Sequence, residues 1–166
     1  MAHRPHGLFP ELINSLHSDI IELRPERHLC VCTISRNEQK LEVVPRYHNN
    51  ADGTLSGVTV FLIHGVGGSV EVWRSQFDSL LVRAVVKIVA VDLIGHGQSS
   101  APRRKEAYQF EAIASDIAAI FTRFRSTDNI IIGHSYGYIV FHTHIILFYL
   151  RVYILSIAVF AEYIHL

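Results

Sequence analysis

Cysteine is nearly missing from this chain: Cys30 and Cys32 are the only two in 166 residues. Standing two apart in a strand they would face the same side, and so close a pair bridges only with strain. A disulfide framework is excluded, and a reduced, intracellular protein is the simple inference. An excess of one charge is lacking too, since 15 Lys and Arg balance 15 Asp and Glu. Nothing therefore points to nucleic acid or to an acidic membrane surface as a partner. The eleven histidines are scattered, with no H-E-x-x-H or comparable ligand spacing, so no metal site is expected. Arg4 near the start has no apolar run behind it, so no secretory signal is expected either. Charge is scarce at 18% and apolar residues reach 49%, which gives one domain the material for a real core.

What the chain does have is a succession of buried-strand patterns, each closed by glycine. Residues 1–28 come first, a mixed lead-in with Pro5, Pro10 and Pro25, in which we expect only a short helix over 11–16. Residues 29–34 and 41–46 read as two strands joined by a polar turn, a hairpin. A turn cluster at 49–53 follows, and then residues 58–63, a continuous apolar run of the kind buried on both faces. That run ends in His64-Gly65-Val66-Gly67-Gly68. Ser69 is placed to cap a helix whose apolar face is Trp73, Phe77, Leu80 and Leu81. Residues 85–91 form the next buried strand, closing on Asp92-Leu93-Ile94-Gly95-His96-Gly97-Gln98-Ser99. A polar, basic loop over 101–106 is expected to be solvated. Phe110, Ile113, Ala114, Ile117, Phe121 and Phe124 then recur at helical spacing over 109–125.

The last strand pattern, Ile130-Ile131-Ile132, runs into Gly133-His134-Ser135-Tyr136-Gly137. This is G-x-S-x-G, the signature of a sharp strand-to-helix turn that presents a serine at its apex. The glycines are wanted because the strand and helix pass too closely for side chains. Strand, helix, strand, helix, strand is an α/β pattern with a parallel sheet, and ligands in such sheets gather at the strands' carboxyl ends. The three glycine-rich segments all stand at such ends, so they can converge on one site.

Taken together, these three segments resemble those of an α/β-hydrolase, in order and in spacing. The wording, residues 30–47 included, is most similar to the branch of abhydrolase domain-containing protein 8. The resemblance covers roughly residues 29–137. It implies a partial α/β-hydrolase fold: a mostly parallel sheet with flanking helices and an N-terminal hairpin, the later strands and lid missing. It also implies roles. Ser135 resembles the nucleophile, and the N–H groups of Val66 and Tyr136 resemble an oxyanion hole. Gly65, Gly67 and Gly68 let the backbone approach a substrate, while Gly133 and Gly137 frame the elbow. His64, His134, Asp92 and His96 resemble supporting residues of the loops. The implied substrate is a small-molecule ester or a lipid, with no cofactor. A serine at this place argues against epoxide or haloalkane hydrolysis, which in this fold uses an aspartate.

A serine needs an adjacent base, and the base an orienting acid. In this fold both follow the serine in the chain. Glu162 and His165 have the right order but lie only three apart. His142 and His144 are set aside if the elbow helix continues, since seven residues of helix would carry His142 about 10 Å from Ser135. Residues 138–166 are almost uniformly apolar. We read them as the product of a truncated or alternatively spliced gene model, leaving an apolar edge on the elbow strand unless residues 152–161 pair with it. The alternative is membrane contact through an apolar helix over 145–161. The division expected is thus 1–28, 29–137 and 138–166. Function stands between a serine hydrolase of acyl esters and an inactive, truncated pseudo-hydrolase that acts by binding. Location is cytoplasmic by default, membrane-associated in the alternative.

Overall fold

The strand Val58–Ile63 (β3) is central because almost every residue in it is apolar and is buried. In the computed structural model it is hydrogen-bonded on both sides, and the structure describes residues 13–36, 58–77, 85–126, 128–137 and 152–157. The other strands are Ile13–Arg24 (β1), Arg27–Arg36 (β2), Val85–Val91 (β4), Asp128–His134 (β5) and Val152–Ile157 (β6). They form one sheet in the order β1-β2-β4-β3-β5-β6. β3 runs parallel to β4 and β5, and β5 parallel to β6. β1 and β2 are antiparallel, as are β2 and β4. Phe61 stands opposite Val89 on one side and Ile131 on the other.

Alternation along the strands makes two apolar layers. Phe61, Ile63, Val89, Val91 and Leu29 face the helix Phe110–Phe124 (α1), which buries Ile113, Ala114, Ile117, Ile120 and Phe121 against them. Phe61 and Phe121 meet with ring centroids 4.9 Å apart. Val60, Leu62, Ile88, Ala90 and Cys32 face the other way, onto Trp73. Trp73 ends a single 3₁₀ turn, Val70–Trp73, capped by Ser69, whose Oγ accepts from the Glu71 N–H at 3.3 Å. Strands β3, β4 and β5 and helix α1 thus stand where the apolar runs and the helical period put them. The loop after β4 is mostly exposed over 101–106, with a 3₁₀ turn beginning inside it at Lys105–Tyr108. The strand expected at 41–46, the turn at 49–53 and Leu80 and Leu81 lie outside the described residues.

Two expectations need correction. Residues 13–16 are not helical; they open β1, the edge strand of the same sheet. Ile21 is buried and Leu23 packs beside it, while His17 to Ile20 face solvent, which is how an edge strand with one dry stretch reads. The observed hairpin is therefore β1–β2, closed at Pro25-Glu26, with Glu26 in the left-handed region at φ 63°. The second correction concerns the tail. Val152–Ile157 pairs with β5 from Asn129↔Val152 to His134↔Ile157, so the condition under which the edge of the elbow strand is filled is met. A continuous membrane helix over 145–161 does not form, because its middle belongs to the sheet. Among the described residues no helix is long and apolar enough to cross a membrane.

Burial also sets the chemistry of the cysteines. Both are free and buried, and desolvation raises the Cys30 thiol and pushes Cys32 up to about 11. Both therefore remain protonated thiols at neutral pH, poor nucleophiles packed in the wall of the sheet.

Candidate active site

Where β5 ends, the backbone turns abruptly. Ser135 has φ 52°, a left-handed conformation costly for a residue with a Cβ, and its side chain is exposed at the tip of the turn. Helix begins immediately after it at Tyr136. A Cβ on Gly137 would stand 2.5 Å from the Ile63 carbonyl oxygen and 2.7 Å from that of His64. The new helix therefore crosses the end of β3 at backbone distance. Gly133 sits in β5, buried, with Ile63 and Ser156 as its register partners. The ring of Tyr136 meets Phe110 edge-on, centroids 6.4 Å apart, which fixes the residue after the serine against the start of α1.

The loop after β3 lies against this turn. A Cβ on Gly65 would be 3.0 Å from the Ser135 Cβ and 3.0 Å from the His134 carbonyl oxygen. Gly65 to Gly68 form a β-turn closed by the Gly68 N–H to the Gly65 carbonyl at 3.1 Å. Gly67 supplies the positive φ, 76°, that the third residue of such a turn requires. Val66, at the second place, is 75% exposed. Among the described residues nothing accepts a hydrogen bond from the Val66 or Tyr136 N–H. Two amides with no acceptor among the described residues, beside an exposed serine, are the material of an oxyanion hole.

The loop after β4 braces the loop after β3. Asp92, buried, accepts from the Val70 N–H at 2.7 Å through Oδ1 and from the Gln98 N–H at 2.9 Å through Oδ2. Ser99 Oγ donates to the Asp92 carbonyl at 2.6 Å. His64, with no exposed surface, donates from Nδ1 to the Gly65 carbonyl at 2.7 Å and accepts at Nε2 from the Leu93 N–H at 2.9 Å. His96 donates from Nδ1 to the Ile94 carbonyl at 3.0 Å and accepts at Nε2 from the Gly67 N–H at 3.1 Å.

A profile of the alpha/beta hydrolase fold matches residues 58–138, from the first residue of β3 to just past the elbow. This segment has the α/β-hydrolase fold. Over 85 residues, 51% of this chain, the sequence is 52% identical to Protein ABHD8 of Mus musculus, and to 19% of that protein's length. The chain thus spans about a fifth of this relative. It is 35% identical over 82 residues to Bifunctional epoxide hydrolase 2 of Sus scrofa, covering 49% of this chain and 15% of that one. Among solved structures, a thioesterase domain from the curacin biosynthetic pathway superposes with a TM-score of 0.57 at 20% identity. It covers 76% of this chain and 40% of its own. An epoxide hydrolase from Vigna radiata superposes with a TM-score of 0.56 at 22% identity, over 75% of this chain and 33% of its own. At these identities the superpositions speak for the α/β-hydrolase fold alone.

Within this α/β-hydrolase segment the structure brings Ser135, Tyr136, Gly65, Val66, His64, His96 and Asp92 to one end of the sheet. His134 stays half-buried beside the serine, its Nδ1 3.2 Å from a Cβ built on Gly65. Glu162 and His165 lie outside the described residues, as do His142 and His144. Among the described residues no cluster of His, Cys, Asp and Glu could hold a metal ion. Sequence reasoning did not single out Phe110 as a partner of the elbow. Its only signal is an aromatic at the first position of α1, on the face that α1 turns to the sheet.

His64 also carries a pH dependence. Burial holds its pKa below the ordinary 6.5, so the folded protein keeps it neutral where the unfolded chain takes up a proton. Stability from this residue is complete above the unfolded value and is lost as pH falls toward the folded one. The urea midpoint of the chain is expected to drop between about pH 7 and pH 5, the window below an ordinary histidine pKa. A midpoint that rises or stays level across that window would contradict this account.

Proposed function

We propose that this site is that of a serine hydrolase acting on acyl esters, lipid esters such as acylglycerols among them. One observation carries the reading: an exposed serine held at φ 52° between a buried strand and a helix, with the Gly65 loop packed on its Cβ. Strain of this kind at an exposed turn is a reason to look for function. Ser135 Oγ attacks the ester carbonyl carbon and gives its proton to a base. The Val66 and Tyr136 N–H groups donate to the oxygen that becomes negative. Collapse releases the alcohol, which takes the proton from the base, and water then cleaves the acyl-serine by the same steps. The base and its orienting acid come from outside the described residues, and Glu162 and His165 are this chain's candidates. The serine supports ester chemistry over the epoxide chemistry named in some relatives, which in this fold calls for an aspartate nucleophile.

The test is a fluorophosphonate probe, which labels only an activated serine. Wild-type chain is expected to be labelled and Ser135→Ala to lose at least about a hundredfold in labelling rate, since the nucleophile itself is gone. A second reading, binding without turnover, is favoured by one fact: among the described residues no acid–base pair reaches Ser135. Folded wild-type protein that takes no label would overturn the hydrolase and leave the binding reading.

A further inference from the structure

His64 and His96 make the same pair of bonds in opposite directions. His64 stands after β3 and accepts the Leu93 N–H of the β4 loop, whereas His96 stands in the β4 loop and accepts the Gly67 N–H of the β3 loop. Each ring spends its Nδ1 proton on a backbone carbonyl, Gly65 for one and Ile94 for the other. Carbonyls only accept and amides only donate, so both rings must be the neutral Nδ1–H tautomer for both ties to exist. A proton on either Nε2 would turn an acceptor to face a donor. The two rings stand 5.1 Å apart between centroids. They differ in access: His64 is sealed inside, while His96 is half-buried and open to solvent.

We propose that His96 is a positioning residue of the oxyanion loop, holding Gly67 and hence Val66 in place only while its Nε2 is unprotonated. In naming the loop this rests on the hydrolase reading; the tie itself does not. Among the described residues, the titratable groups that act on His64 are His96, Asp92 and His134. His64 faces His96 from the end of β3. Asp92, on the same loop as His96, acts on His64 while its carboxylate oxygens are taken by the Val70 and Gln98 amides. His134, at the end of β5, acts on His64 as well. No cation is needed to close the loop, and a proton added at His96 opens it. Val66 is bonded to Gly67 and sits on a turn whose other end, Gly65, touches the elbow. Loss of the Gly67 tie therefore frees the proposed oxyanion donor before it disturbs the sheet.

The experiment follows the Gly67 amide by nitrogen–proton correlation spectroscopy on the whole chain, as pH is lowered through the range where histidines titrate. In wild type the Gly67 signal is expected to move along a single titration curve. In His96→Gln, whose side-chain oxygen reaches the place of Nε2 and accepts at every pH, the signal is expected to stay still. In His96→Ala the amide is expected to exchange about fivefold faster than wild type at the same pH, the effect of one ordinary hydrogen bond. A Gly67 signal that ignores pH in wild type overturns the proposal. So does one that still titrates in His96→Gln, since His64 would then be the group responsible. Should His96→Ala fail to fold, the glutamine variant decides alone. Failure of Ser135 to take the fluorophosphonate leaves the Gly67 titration as it is, so the two readings fall separately.

Discussion

Gly137→Ala is expected to lower the melting temperature by roughly 10 °C and to abolish fluorophosphonate labelling in the same step. The added methyl would meet two backbone carbonyl oxygens, Ile63 at 2.5 Å and His64 at 2.7 Å, well inside van der Waals contact. A flexible side chain could swing away, but these oxygens belong to the end of β3, whose pairing with β4 and β5 holds them. The helix must move instead. Overpacking of this kind costs about 3 kcal/mol, which corresponds to about 6–12 °C in a chain of this size. Moving the helix carries Tyr136 with it, and so displaces the amide proposed to hold the oxyanion. Thermal unfolding and probe labelling of the variant read both effects. An alanine variant as stable and as readily labelled as wild type would mean that the elbow is not packed as described.

Asp116→Ala should destabilise the chain by about 3–5 kcal/mol, the usual result of leaving a buried charge without its partner. Asp116 lies on the buried face of α1, 2% exposed, and Arg27 at the start of β2 is 5% exposed. The Arg27 Nε donates to both carboxylate oxygens, at 2.6 and 2.7 Å, and its Nη1 to the Ala107 carbonyl at 2.8 Å. Arg24, half-exposed, adds a further bond to the carboxylate from Nη2 at 3.0 Å. These contacts fasten the β1–β2 turn to the helix. The arrangement is unequal, and that makes it testable. Without Asp116 the buried Arg27 keeps only a carbonyl, whereas without Arg27 the carboxylate still has Arg24. Asp116→Ala should therefore cost more than Arg27→Met. The double variant Arg27→Met with Asp116→Leu should recover most of the loss, because the pair gains little over apolar packing. Urea unfolding of the three variants gives the order. Equal losses, or a double variant as weak as Asp116→Ala, would contradict the account.

Much of this architecture is legible in the sequence, and the parts that are not share a cause. β3, β4 and β5 are largely buried, so their residues form apolar runs broken only at a few positions such as Thr59 and Lys87, and α1 carries its period openly. β1 is different. It is an edge strand with a solvent face, its polar residues at His17, Ser18 and Asp19 break any run, and Pro10 and Pro25 give the stretch the look of a linker. Asp116 escapes for a related reason. It falls three residues after Ile113 and one before Ile117 on the apolar face, where a reading that counts only apolar residues passes over it. Its partner is 89 residues away, a distance no local pattern spans. At the site, the serine and its flanking glycines are plain in five residues because backbone geometry dictates them. The crossed histidine ties are not, since they depend on β3 and β4 lying side by side. Val152–Ile157 has the β-branched and aromatic content of a strand, but its uniformly apolar surroundings hide where the strand begins and ends.

The left-handed turn at Ser135 also bears on how this position could drift. Alanine there would keep the Cβ and with it the backbone strain of about 1–2 kcal/mol, whereas glycine would relieve it. A chain under pressure for durability alone has an easy improvement available at this one codon. Holding a serine there is a standing handicap, which the proposed use of the hydroxyl would offset. A lineage that stopped needing that hydroxyl would be drawn toward glycine rather than alanine, leaving a trace of lost activity in the descendant's own sequence.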